Sequence, residues 1–149
     1  MFAQDPLDEQ LIKLLSKDTR QSSQKLAKKL HVCASTVRNR LRKLVASEYL
    51  HFVVAVDPFK AGLQVVVQIL LDVEQNKIND TLNYLVTLPE VSYVSSASGR
   101  FNIVVYAFFP SHSALANFLQ NQLGTIAGVR DCETLICLEI KKGRFVPIA

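Results

Sequence analysis

Arg38, Asn39 and Arg42 are the side chains in this chain best shaped to read another molecule. A guanidinium fork matches the guanine edge in the major groove of duplex DNA, and a carboxamide matches the adenine edge. These three stand inside an acid-free stretch. Residues 19–47 hold eight cations (Arg20, Lys25, Lys28, Lys29, Arg38, Arg40, Arg42 and Lys43) and neither Asp nor Glu. Each phosphate that such a surface neutralises releases condensed counterions, so a compact basic patch on helices is the footprint of a polyanion-binding face. The bland alternative is a solvated charged side, which any amphipathic helix has. The length of the acid-free run and the three-helix spacing around it favour nucleic acid.

The elements that position these residues follow from periodicity and caps. Asp5-Pro6 offers an N-cap with proline at the first helical position, and Asp8 and Glu9 suit the first turn. Leu7, Leu11, Leu14 and Leu15 then predict a first helix over 6–16. Ser22 or Ser23 caps a second helix that turns Leu26, Ala27 and Leu30 inward. A third helix begins near Ala34 and runs to about Ser47, with Val37, Leu41 and Leu44 as its apolar stripe. Two helices joined by about three residues, the second longer and basic, match a helix-turn-helix. On a helical wheel Ser35, Arg38, Asn39 and Arg42 face away from the core. Ser35 and Thr36 occupy the first turn, where hydroxyls and free N–H groups hold phosphate, and Lys43 adds a cation. Arg40 falls beside the stripe, where its stem packs and its head either binds phosphate or braces the fold.

Charge divides the chain. Residues 1–50 carry ten Lys/Arg against five Asp/Glu, whereas residues 51–149 carry seven against eight. One part therefore meets a polyanion and the other does something else. Residues 51–57 read as a linker strand ended by Pro58, with Gly62 following. Alternation over 63–73 predicts a strand; Ile78, Leu82, Leu85 and Val86 predict a helix stopped by Pro89. Strands over 91–97 and 103–109, a helix carrying Leu115, Phe118 and Leu119, and a final strand over 130–141 complete a βαββαβ order. Leu88-Pro89-Glu90-Val91 and Ile126-Ala127-Gly128-Val129 close the two helices alike.

The expected class is thus α+β: a three-helix helix-turn-helix domain over 1–50, a linker strand and hinge over 51–62, and a ferredoxin-like domain over 63–149. Both faces of the 103–109 strand are apolar, since Ile103, Val105, Ala107 and Phe109 alternate with Val104, Tyr106 and Phe108. Helices cover one face, and burial of the other favours a homodimer through the sheets.

Other chemistry finds little support. His51 and His112 stand beside no acid or cysteine at ligand spacing, and there is no phosphate loop or nucleophile motif. No enzyme activity, metal or cofactor is expected. The three cysteines, Cys33, Cys132 and Cys137, lack CxxC spacing and read as reduced thiols of the cytoplasm. No continuous apolar run reaches the ~18–20 residues of a membrane span, and the first cation is Lys13, so neither a membrane segment nor a secretory signal is expected.

The order and size of these parts resemble the Lrp/AsnC (feast/famine) family of transcription regulators. The likeness runs over Leu7-Asp8, Leu14-Leu15, Arg20, Leu26-Ala27 and residues 36–44 in the first part. In the second it runs over Val56-Asp57-Pro58, Gly62, Pro89-Glu90-Val91, Gly99-Arg100-Phe101-Asn102 and Gly128-Val129. The resemblance implies double-stranded DNA as partner and dimers through the second (RAM, ACT-like) domain, assembling further to tetramers or octamers. It also implies an amino-acid effector at Gly99, Arg100, Phe101 and Asn102, with Thr134 as a further candidate, and a cytoplasmic, nucleoid-associated protein. Cys33 replaces the usual capping serine, Glu48 the usual glycine after the helix, Leu11 a usual acid, and Asn102 the commoner acid of the effector turn. A different C-cap at Glu48 and weaker attraction for an α-ammonium at Asn102 are expected, the latter because an amide carries no charge. Two further readings are an enzyme resembling sirohaem decarboxylases, which the lack of histidine over 91–109 opposes, and an effector-independent architectural protein on DNA.

Overall fold

The computed structural model describes residues 5–143 and 146–147, and the chain divides into two units, Met1–Val53 and Val54–Ala149. In the first unit α1 spans Pro6–Leu15, with the Leu7 N–H donating to Asp5 Oδ1 at 2.8 Å. Helix α2 spans Ser23–Leu30, and of its two candidate caps Ser22 is the one used, accepting from the Lys25 N–H at 3.2 Å. His31 then turns the chain in the left-handed region, and α3 spans Ala34–Ala46. Leu11, Leu15, Leu26, Ala27 and Val37 form the core, and Leu14, Leu30, Leu41 and Leu44 pack around it. Leu11 is wholly buried there.

The ends of α3 depart from the usual chemistry in two ways. Cys33 makes no side-chain capping bond, as expected of a thiol. At the other end the expected change of C-cap does not occur. Glu48 adopts φ +57°, the left-handed conformation that glycine favours, and the Tyr49 and Leu50 N–H groups both donate to the Leu44 carbonyl at 3.1 Å. The glycine-type stop is kept with a side chain in place, at a cost of about 1 kcal/mol.

In the second unit β2 (Val65–Val73), β3 (Val91–Ser96), β4 (Ile103–Phe109) and β5 (Val129–Ile136) form one antiparallel sheet in the order β3-β4-β2-β5. Helices α4 (Ile78–Leu85) and α5 (His112–Asn121) fill the two crossovers, giving the ferredoxin-like order. Val65, Val67, Ile69, Leu71 and Val73 share a buried layer with Ile103, Val105, Ala107 and Phe109, packed against Leu85, Leu115 and Phe118. The Phe109 and Phe118 rings meet edge to face at 5.0 Å. The two echoing segments make the same turn, Val91 N–H to Leu88 O and Val129 N–H to Ile126 O, at 3.1 and 3.4 Å. Gly128 takes φ +89° there, and a Cβ on it would lie 2.9 Å from Lys77 Cγ.

Two strand expectations need correction. The linker strand shrinks to β1 (Ala55–Val56), which pairs with β6 (Val146–Pro147), an element the sequence reading did not anticipate. The last strand ends at Ile136, not near 141. Cys137 N–H still reaches Val66 O at 2.8 Å, but β2 begins at Val65, so residues beyond 138 have no ladder to join, and Leu138 itself is 98% exposed.

Opposite the helices, Val66 pairs with Phe108, Gln68 with Tyr106 and Leu70 with Val104, and Leu135 lies across from Gln68. Tyr93 stacks edge-on against Tyr106 at 6.2 Å, and Tyr93, Tyr106 and Leu135 are exposed. This face of the sheet is the apolar one that alternation called for.

Candidate nucleic-acid interface and effector turn

Ser35, Arg38, Asn39, Arg42 and Lys43 are all exposed on α3, and Thr36 is half-buried at its start. Arg42 Nη1 donates to Asn39 Oδ1 at 3.4 Å, a long bond one helical turn apart that leaves both groups outward. Arg38 and Lys43 have no intramolecular partner among the described residues. Lys25, Lys28 and Lys29 of α2 are exposed as well. The outcome is a solvent-facing surface with hydroxyls and backbone N–H groups at the helix start, two guanidinium forks and an amide along it, and no acid from α3 itself; Asp5 and Asp8 of α1 border one edge. Such a surface holds phosphate and presses hydrogen-bonding groups onto base edges.

Arg40 differs from its neighbours. Its Nη1 lies 2.6 Å from Asp5 Oδ2 and 3.1 Å from Asp8 Oδ1, so it bridges α3 to the start of α1. Of its two anticipated roles the structure displays the brace. The Asp8 and Asp5 carboxylates raise the Arg40 pKa above the ordinary arginine value. The Leu7 N–H, and after it Arg40, hold Asp5 below the usual carboxylate range. From the sequence Asp5 is an N-cap and Asp8 a first-turn residue of α1. Nothing in their spacing from Arg40 announces the contact.

The turn between β3 and β4 carries Gly99, Arg100, Phe101 and Asn102. Gly99 has φ +139° with open space where a side chain would project. The Arg100 guanidinium lies 4.9 Å from the Phe101 ring centroid and donates to Asp131 Oδ2 at 3.0 Å, while its side chain stays 77% exposed. Asp131 faces Asp72 directly across the β2–β5 ladder, and Arg130 pairs with Asp72 at 2.7 Å. Two like charges in register are thus each met by an arginine, which offsets their repulsion.

Asn102 has a different task from the one its place in the turn suggested. Its Oδ1 accepts the Val73 N–H at 2.9 Å and its Nδ2 donates to the Val73 carbonyl at 2.6 Å. The amide thereby satisfies both backbone groups of Val73 where the β2–β5 register shifts. An amide both donates and accepts; a carboxylate only accepts. Both Asn102 amide atoms are therefore taken up within the fold.

Thr134 is not brought to this turn. It lies opposite Ile69 on the helix side of the sheet, whereas Asp131, which meets Arg100, lies on the other side. Thr134 instead touches Cys132, whose thiol is pushed up by burial and by Asp131, against the lowering effect of the Thr134 contact. Among the described residues no cluster of His, Cys, Asp and Glu is fit to hold a metal, and no helix is long and apolar enough to cross a membrane.

A helix-turn-helix unit followed by a ferredoxin-like unit defines a two-domain transcription regulator with a DNA-binding and a ligand-binding part. Residues 5–45 match the AsnC-type helix-turn-helix domain, and residues 64–146 match the Lrp/AsnC ligand binding domain. The chain belongs to the Lrp/AsnC family. An HTH-type transcriptional regulator of Pyrococcus furiosus is 35% identical over 139 residues, covering 93% of this chain and 94% of that protein. The regulator Ptr1 of Methanocaldococcus jannaschii is 27% identical over 146 residues, 97% of this chain and 99% of that one. Escherichia coli AsnC superposes with a TM-score of 0.87 at 25% identity, covering 94% of this chain and 95% of its own. A Neisseria meningitidis regulator solved as an L-Met complex shares the fold, with a TM-score of 0.86 at 19% identity over 95% of this chain and 94% of its own.

The Asn102 brace gives a direct test. Asn102→Asp keeps the acceptor for Val73 N–H but sets a second acceptor against the Val73 carbonyl, and is expected to cost about 1–3 kcal/mol at neutral pH. Protonation restores a donor, so the native state favours the protonated acid. The lost stability returns as pH falls through the carboxylate range and is lost again as pH rises. Urea unfolding at several pH values measures this; a deficit independent of pH counts against the brace.

Proposed function

We propose that this regulator reads a specific operator with Arg38, Asn39 and Arg42, holds phosphates with Ser35, Thr36 and Lys43, and responds to a small metabolite. The observation that carries the reading is the outward, acid-free side of α3, where these groups stand exposed. A dimer would present two such helices to half-sites one or more helical turns apart. Arg38→Ala with Arg42→Ala is expected to weaken operator binding about 100-fold or more, because two arginine–base contacts each contribute ~1–3 kcal/mol. Band-shift titration measures this; undiminished affinity in the double variant overturns the assignment. Wild-type affinity should also fall linearly in log–log form with rising salt.

The regulator acts in the cytoplasm as a homodimer, joined through the sheet face that carries Tyr106, Leu70 and Val104, and assembles to tetramers or octamers. Apolar side chains exposed along that face support this, since a contiguous apolar patch is stabilised by cover. Tyr106→Glu places a charge at its centre and is expected to shift the protein to monomers in sedimentation velocity; retention of the wild-type size rejects this interface.

The effector is an amino acid or a related metabolite, bound about Gly99, Arg100 and Phe101. Support comes from the L-Met complex of the Neisseria regulator and from Arg100, an exposed cation suited to a carboxylate. Within one chain the Asn102 amide is taken up by Val73 and Thr134 lies on the other face of the sheet, so Gly99, Arg100 and Phe101 are the groups this turn offers first. A thermal-shift screen over the twenty amino acids is expected to raise the melting temperature with at least one of them. If none does so, an effector-independent architectural role on DNA is the better account.

A further inference from the structure

A cleft of about 750 Å³ runs between the start of α1 and one edge of α3, lined by Asp5, Asp8, Thr36, Asn39, Arg40 and Lys43. Three of those residues are assigned above to DNA, and two of the others are acids. Carboxylates beside a phosphate-binding surface oppose it, unless their charge is taken up elsewhere. Arg40 takes it up, at 2.6 Å from Asp5 and 3.1 Å from Asp8. The positive end of α1 helps, because Asp5 caps that helix and Asp8 lies in its first turn.

Release of Arg40 toward a phosphate is costly. Its side chain is only 31% exposed and that of Asp8 only 17%. Asp8 Oδ1 is buried and has no hydrogen-bond donor of good geometry, only the charge of the Arg40 head. A swing outward strands that oxygen in the protein without compensation. Thr36, Arg40 and Lys43 also follow one another along a single helix edge, so the attachment of that edge to α1 fixes where Thr36 and Lys43 stand.

We propose that Arg40 is a positioning residue for DNA recognition: by spanning Asp5 and Asp8 it holds α3 at its angle on α1 and withholds both carboxylates from the phosphates, without itself touching DNA. The proposal rests on the DNA-binding reading of α3. It sets Arg40 apart from the other arginines of the same helix, which act by contact.

The test uses the full chain and a duplex selected by the wild-type protein from a random-sequence pool. Arg40→Gln is expected to lose about tenfold in affinity with an unchanged slope of log affinity against log salt. A phosphate-contacting arginine would instead lower that slope by about 1. In the triple variant Asp5→Asn, Asp8→Asn, Arg40→Gln no acid is left in the cleft, and Asn still caps α1. It is expected to bind within about threefold of wild type with the wild-type slope. A reduced slope in either variant, or full affinity in Arg40→Gln, overturns the proposal. Should Arg40→Gln fail to fold, the affinity and slope of the triple variant decide alone. Arg38→Ala separates the two readings. If it loses affinity while Arg40→Gln does not, only the positioning role fails; if neither loses affinity, the DNA face lies elsewhere.

Discussion

A helix that is to be read by DNA has little of its own surface left to hold it in place. Helix α3 buries Val37 and leans Leu41 and Leu44 against the three-helix core, and the rest of its circumference faces outward. That narrow stripe must resist the pull of a polyanion on the opposite side. The ion pairs from Arg40 to Asp5 and Asp8 widen the attachment at the border of the stripe. They do so with charges already drawn to the start of α1 by its dipole. The same acids that cap one helix therefore secure another.

The second unit meets a related constraint with apolar alternation. Strand β2 sits between β4 and β5 and buries every odd residue from Val65 to Val73 against the helices. Of its even residues, Gln68, Leu70 and Asp72 lie half-exposed on the side of Tyr106 and Val104, whereas Val66 is buried. Near its end the ladder to β5 shifts register, and the Asn102 amide fills in the hydrogen bonds that the shift leaves open. The turn between β3 and β4 is thus tied to the central strand by a bond pair that any movement of the turn must respect.

Much of this was legible in the residues. Period-two alternation placed β2 and β4, caps placed α1 and α2, and the wheel of α3 placed Arg38, Asn39 and Arg42 outside, because each of those signals is local. What stayed hidden depends on distant partners. The pairing of Ala55 and Val56 with Val146 and Pro147 brings together residues some ninety positions apart that carry no matching pattern. The role of Asn102 depends on a backbone group, which has no sequence signature. The end of β5 is misplaced because apolar alternation continues to Ile140, whereas β2, which begins at Val65, offers no partner beyond the position of Leu138.

The partition of charge has a consequence for the solution around the molecule. Lys25, Lys28, Lys29, Arg38, Arg42 and Lys43 crowd one small unit and repel one another, whereas the second unit is nearly neutral. Mobile anions that gather on this cationic side relieve its internal repulsion, so a brinier medium firms the first unit. The same anions loosen its grip on the duplex. The free unit is accordingly most comfortable under the conditions in which it holds its target least, and binding itself supplies the counter-charge that it lacks when alone.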